Sequence, residues 1–148
     1  MTGDPDPRDR QAAIDVAVRY ATAIDRRDWT LFRTCFTADC TADYGQVGTW
    51  QDLDSFALFM QEIHARCGSS LHRITNHAVE TDGYDLRSRC YVDAIVLAPG
   101  NATGTRAIGW YDDLLTRTEA GWRIRERRFE MVHLSLDLGA NAAAPASG

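Results

Sequence analysis

A chain of 148 residues, 45% hydrophobic and 25% charged, has the size and composition of one globular domain with a single core. Its net charge of -5, from 21 acidic and 16 basic residues, disfavours a nucleic-acid partner, because proteins that bind phosphate backbones carry a basic excess. No apolar run nears the roughly 18 residues needed to cross a bilayer, and the opening MTGDPDPRDR has no apolar signal core. The expectation is a cytoplasmic protein that engages neither nucleic acid nor membrane.

Residues 1–6 are rich in Pro and Asp and are expected to be flexible. Asp6 followed by Pro7 is a helix start, a capping carboxylate ahead of a residue with no N–H to lose. A first helix is predicted over 7–25, with Ile14, Ala17, Val18, Ala21 and Ile24 forming its apolar stripe. Asp28 caps a short second helix over 29–36. Residues 40–50 read as a strand and a turn, punctuated by Gly45 and Gly48. Phe56, Phe59, Met60 and Ile63 share one face of a third helix over 53–66, whose start carries no clear cap. The texture then changes to strands over 70–81, 85–98, 103–118 and 122–134. Turn signals at Asp82-Gly83, Pro99-Gly100-Asn101 and Glu119-Ala120-Gly121 separate them. Helices first and hairpin-linked strands last predict an α+β architecture, with the helices on one face of a strongly curved antiparallel sheet. The domain is placed at 7–135, and the aperiodic residues 136–148 are expected to form a flexible tail.

Several polar residues fall where a core is expected. Asp25 lies on the wheel between Val18 and Ala21, on the packed stripe. There it loses solvation and meets the unfavourable end of the helix dipole. It is either a partnered functional carboxylate, or a group at a fraying helix end or in a structural salt bridge. Tyr20 flanks the same stripe, and Tyr44 precedes a glycine turn at a strand end. His72 and Asn76 share strand parity with Ile74 and Ala78, against Leu71, Arg73, Thr75, His77 and Val79. Neither face is cleanly apolar, which suggests a sheet lining a partly polar pocket. Asp93 shares a face with Tyr91 and Ile95. Arg128 shares parity with Trp122 and Ile124, and Arg127 with Phe129 and Met131, an assignment a β-bulge would reverse. An inward arginine holds a carbonyl or carboxylate, while a solvated face is the simpler account of most of these arginines.

Cys35, Cys40, Cys67 and Cys90 lack CxxC spacing and read as buried or idle thiols. There is no GxGxxG, P-loop, nucleophile elbow, HExxH or Cys/His metal spacing. No cofactor and no metal are expected, and proton transfer by a histidine and an acid is the main enzymic option.

The stretches YATAIDRRDW (Tyr20 to Trp29 within it), FTADCTADYG, LHRITNH and GWYDDLLTRTEAGWRIRERRF occur in an order and spacing that resembles the SnoaL-like branch of the NTF2-like, or cystatin-like, superfamily. The resemblance covers about residues 10–134 and implies a cone of helices on a curved sheet. Among members of that fold, scytalone dehydratase and bile acid 7α-dehydratase look most similar. They carry a Tyr and an Asp on the first helix, a second Tyr in the following strand region and a His at the start of the long sheet. Tyr20, Asp25, Tyr44 and His72 match in type and order. A dehydrochlorinase of the same fold pairs its helix Asp with a strand His followed by Thr-Asn, as in His72, Thr75 and Asn76. A strand Asp and a late Arg correspond to Asp93 and to Arg127 or Arg128. The second catalytic His of scytalone dehydratase has no counterpart here.

The resemblance implies that His72 is a general base oriented by Asp25, with Tyr20 and Tyr44 donating to a developing oxyanion. Asn76, Phe56, Phe59, Met60, Asp93, Trp110, Arg127, Arg128, Phe129 and Met131 are the expected substrate contacts. The expected activity is cofactor-independent dehydration of a hydroxylated cyclic or polycyclic small molecule. Cyclisation or isomerisation by the same pair, and a non-catalytic ligand-binding or docking role, are the alternatives. Assembly as a homodimer or homotrimer is expected from the fold.

Overall fold

The computed structural model describes residues 2–139. Asp6 starts α1 (Pro7–Arg26) as predicted, its carboxylate accepting from the Arg8 N–H at 2.8 Å. The buried face of α1 is Ala13, Val16, Ala17, Tyr20, Ala21, Ala23 and Ile24. It centres on Val16 and Tyr20, so Tyr20 is in the middle of the stripe and Val18 faces solvent, 48% exposed. Asp28 caps α2 (Trp29–Arg33) by accepting from the Leu31 N–H at 2.9 Å. This helix is shorter than predicted because Phe36 already begins β2 (Phe36–Asp43), beside Ile124. After a single 3-10 turn at Gly45–Val47 and β3 (Thr49–Trp50) comes α3 (Leu53–Ala65). Its cap, missed in the sequence, is Asp52, which accepts from the Ser55 N–H at 2.8 Å.

The long strands are β4 (Ser70–Asp82), β5 (Asp85–Leu97), β6 (Gly104–Thr118) and β7 (Gly121–Leu138). With β1 (Thr2–Gly3) they form one seven-stranded sheet in the order β1-β4-β5-β6-β7-β2-β3. The sheet is mixed and mostly antiparallel, because β2 returns parallel to β7. Two edges depart from expectation. Thr2–Gly3 pairs with Thr81 and Asp82 where a flexible lead-in was predicted. β7 continues to Leu138, past the predicted start of the tail at 136. Residues 140–148 of that predicted tail lie outside the described residues.

Register shifts decide which side chains face the helices. In β4 the pairing with β5 slips between Thr75 and Ala78, with Asn76 in the left-handed region at φ 53. His77 and Val79 then follow Ser70, His72 and Ile74 onto the helix-covered face. In β7 a shift opposite Leu114 and Leu115 does the same, so Arg127 follows Trp122 and Ile124 inward. A third shift sits at Gly109, where a Cβ would collide with the Glu130 carbonyl. Glycine there lets β7 close onto β6.

The core is aromatic. Phe32, Phe36 and Phe56 are fully buried around Tyr20, whose ring lies 5.7 Å from Phe32 and 5.9 Å from Phe36. Each such burial contributes about 1.5–3 kcal/mol. The rings clamp α1, α2 and α3 onto the sheet and bring the end of α1 against the start of β4.

Candidate active site

Asp25 is the carboxylate at that junction, one residue before the end of α1. Its Oδ1 accepts from His72 Nδ1 at 2.7 Å and from the Ser70 hydroxyl at 2.9 Å. Its Oδ2 accepts from the His72 backbone N–H at 2.8 Å. The side chains are 17% and 8% exposed for Asp25 and His72. Burial pushes the Asp25 carboxyl upward, but the His72 ring, the His72 N–H and the Ser70 hydroxyl outweigh it and hold the group below its ordinary value. The misplaced carboxylate of the helix wheel is therefore fully partnered. An ionised carboxylate offers acceptors only, so His72 Nδ1 carries a proton, and in the neutral imidazole the lone pair is then on Nε2. His72 Nε2 takes no hydrogen bond among the described residues and is not fully sealed from solvent.

Tyr20 lies beside His72, and Tyr44 and Tyr111 gather around Tyr20. The Tyr20 and Tyr44 hydroxyls are 2.8 Å apart, and the Tyr20 ring meets the His72 ring edge-on at 6.5 Å. Tyr111, which sequence reasoning missed, packs on Tyr20 at 5.5 Å and on Tyr44 at 6.2 Å. Burial raises all three phenols well above their usual value, against the pull of Arg127. They are neutral hydroxyls, able to donate. Arg127 lies beneath them, its guanidinium carbon 4.1 Å from the Tyr20 ring and 3.9 Å from the Tyr111 ring. It donates twice to Asp113, at 2.8 and 2.7 Å. Burial works against its charge, but Asp113 and the surrounding tyrosines hold its pKa well above the ordinary value. Its Nη1 is sealed and unpartnered.

The other predicted contacts divide by face. Phe56 and Met60 are core, 0% and 6% exposed. Phe59 stacks on Trp50 at 4.7 Å, and Phe129 packs on Tyr44 at 5.5 Å. Four residues are not in this group. Asn76 is exposed at the β4 bulge, which breaks the parity it shared with His72. Asp93 is on the opposite sheet face, paired with Arg73 at 3.0 Å and Arg106 at 2.8 Å. Trp110 is on that face too, under the Arg89 guanidinium at 5.2 Å. Arg128 points outward to Glu130 at 2.9 Å, the bulge having given the inward place to Arg127. Met131 is 41% exposed.

Ser70, Arg27, Tyr111 and Asp113 are the residues sequence reasoning missed here. Arg27 donates to Ser70 Oγ at 2.7 Å. Alternation in β6 carried a usable signal, since Tyr111 and Asp113 share parity opposite the inward residues of β7.

Two open clefts flank the sheet. One, about 800 Å³, crosses the outward face between Arg87, Arg89, Asp112 and Arg128. The other, about 530 Å³, lies between the Tyr44–Val47 turn and Phe129–Leu134 of β7. Neither is lined by Asp25 or His72, and Tyr44 borders the second. Burial pushes the Cys35 and Cys40 thiols up to about 11 and Cys90 up to about 12, so they are inert in this state. Among the described residues no cluster of His, Cys, Asp and Glu is arranged to hold a metal, and no helix is long and apolar enough to cross a membrane.

Comparison with known proteins adds family and fold. A family model described as a SnoaL-like domain matches residues 6–128. An uncharacterised protein of Mycobacterium tuberculosis, Rv2910c, is 28% identical over 121 residues, covering 80% of this chain and 82% of its own. A protein described as a candidate aromatic ring hydroxylase from Novosphingobium aromaticivorans superposes with a TM-score of 0.83 at 25% identity, over 95% of this chain and all of its own (100%). A candidate scytalone dehydratase from the same species gives 0.78 at 15% identity, over 91% and 94%. The hexachlorocyclohexane dehydrochlorinase LinA-type3 of Novosphingobium barchaimii gives 0.77 at 16%, over 93% and 95%.

Proposed function

This chain belongs to the SnoaL-like domain family of the NTF2-like superfamily, and from that premise we propose that it is a cofactor-independent lyase that dehydrates a hydroxylated cyclic small molecule. One observation carries the reading. His72 is held by Nδ1 on an ionised Asp25, leaving Nε2 unpartnered and not sealed, and its ring meets that of Tyr20, whose neutral hydroxyl is paired with that of Tyr44. In this reading Nε2 removes a proton from carbon next to a carbonyl. Asp25 stabilises the imidazolium that forms, and Tyr20 or Tyr44 donates to the oxygen that gains charge. The imidazolium then returns its proton to the departing hydroxyl, which leaves as water. Arg127 stays charged and ion-paired to Asp113 in this arrangement, and its part is to hold the tyrosine rings and bias their hydroxyls through its field. Neighbours named as a dehydrochlorinase and a candidate dehydratase share the fold and support the choice of an elimination. Cyclisation or isomerisation would begin with the same proton abstraction.

A second reading has its own observation. Tyr20, the aromatic neighbour of His72, is packed against Phe32, Phe36 and Tyr111, and neither cleft is lined by His72. That arrangement favours a binding or docking module, for which the pair is a structural tie between α1 and β4. Solvent deuterium separates the two. The protein is incubated in D2O with a panel of cyclic ketones and β-hydroxy ketones, and products are read by mass. Deuterium entering next to the carbonyl, or loss of water, above the rate in buffer supports the lyase. Binding without exchange across the panel supports the module.

A further inference from the structure

The C-terminus of α1 holds a conformation that its backbone alone does not explain. Arg27 sits in the left-handed region, φ 56 and ψ 33, where glycine is the usual occupant because a Cβ crowds the following carbonyl. The turn closes through the Arg27 and Asp28 N–H groups onto the Ile24 and Ala23 carbonyls, bonds that glycine would make with less strain. What an arginine adds is its side chain, and that side chain is committed. Nη1 donates to the Ile24 carbonyl and to Ser70 Oγ, both at 2.7 Å, and Nη2 donates to the Gly68 carbonyl at 2.5 Å. Gly68 is itself fixed, since a Cβ there would strike the Ala98 carbonyl and the Asn101 side chain.

These bonds have a direction. A guanidinium has donors and no acceptor, so Ser70 Oγ accepts from Arg27. The single hydroxyl proton of Ser70 is then directed to Asp25 Oδ1, 2.9 Å away. Ser70 is 4% exposed, which keeps water from competing for it. We infer that Arg27 is a positioning residue which, through Ser70, aims Asp25 and keeps it an acceptor for His72. The inference rests on the reading of Asp25 and His72 as the working pair. The groups facing this cluster are Tyr20 from α1, Arg27 from its C-terminal cap, Ser70 and His72 from β4, and His64 from α3. His64 donates through Nδ1 to the Met60 carbonyl, 2.8 Å away, and burial lowers its pKa, so it adds no positive charge near neutral pH. Arg27 is thus the cation that orients the chain of donors.

The test uses the full chain, labelled with carbon-13 and nitrogen-15. The Asp25 carboxyl carbon is titrated by NMR in the wild type, Arg27→Gly, Ser70→Ala and Ser70→Thr. Arg27→Gly supplies the residue the backbone prefers, so the fold survives while the relay is cut. The expected result is an Asp25 midpoint raised by about one pH unit in Arg27→Gly and Ser70→Ala, with the wild-type value restored in Ser70→Thr, which keeps the hydroxyl. Midpoints within about 0.2 unit of wild type in both deletion variants would overturn the relay. The nitrogen spectrum of the wild type distinguishes the two failures. A His72 without a bound Nδ1 proton overturns the pair and the relay together, whereas an intact pair with unmoved variants removes the relay alone.

Discussion

Asp113→Ala is predicted to destabilise the protein by about 3–5 kcal/mol, because it strands a charge. The Arg127 side chain is 0% exposed and that of Asp113 is 4% exposed. Both Arg127 donors that find a partner use Asp113, while Nη1 is already unpartnered. Without the carboxylate, the guanidinium keeps the Tyr20, Tyr111 and Phe36 ring faces, which replace no hydrogen bond and are worth about 2 kcal/mol each when desolvated. Against a total stability of roughly 5–15 kcal/mol, the loss is large. The double variant Arg127→Met, Asp113→Leu removes the charge and its desolvation cost together, and is predicted to recover most of the loss. Urea unfolding at neutral pH, followed by tryptophan fluorescence, measures both. A single variant that loses less than about 1 kcal/mol, or a double variant no better than the single, would refute this account of the ion pair.

Asp25 titrates below its ordinary 3.8 in the folded protein, so its contribution to stability is complete above that value and is lost as pH falls through the folded pKa. The stability deficit of Asp25→Asn is therefore predicted to hold steady from about pH 7 down to about pH 4 and to shrink as pH falls further, and a deficit that stays unchanged below about pH 4 would count against it. Tyr44→Phe removes one member of the buried 2.8 Å hydroxyl pair. It is predicted to cost about 1 kcal/mol in urea unfolding and to slow turnover, without changing the fold by circular dichroism. Asn76→Gly, at the exposed left-handed bulge, is predicted to leave stability within about 0.5 kcal/mol and turnover at the wild-type level. Asn76→Val at the same place is predicted to cost roughly 1–2 kcal/mol.

The fold was legible because its signals are local. Asp6-Pro7, Asp28 and the turn at Asp82-Gly83 mark boundaries by capping and turn chemistry, and those boundaries hold within a few residues. Asp25 was legible for a different reason: a carboxylate on an apolar stripe demands a partner, and the family pattern named His72. Parity arguments failed where a strand bulges. Asn76 and Arg128 were assigned by strict alternation, and single register shifts in β4 and β7 moved them to the outward face. Nothing local announces those shifts, which arise from how long strands wrap around the aromatic core. Ser70 and Arg27 were missed because their meaning lies in one contact between segments 43 residues apart. The parallel placement of β2 beside β7 is likewise a tertiary fact without a local signal.

The central claim is that His72 Nε2 moves a proton on carbon, and one measurement addresses it most directly. Deuterium exchange from D2O into a reactive cyclic ketone of the panel is timed for the wild type and for His72→Ala, with unfolding curves confirming that both are folded. A positioned base contributes about 10²–10⁴-fold, so the exchange rate of His72→Ala is predicted to fall by that factor. A variant that exchanges within about threefold of the wild type would contradict the assignment of His72 as the base.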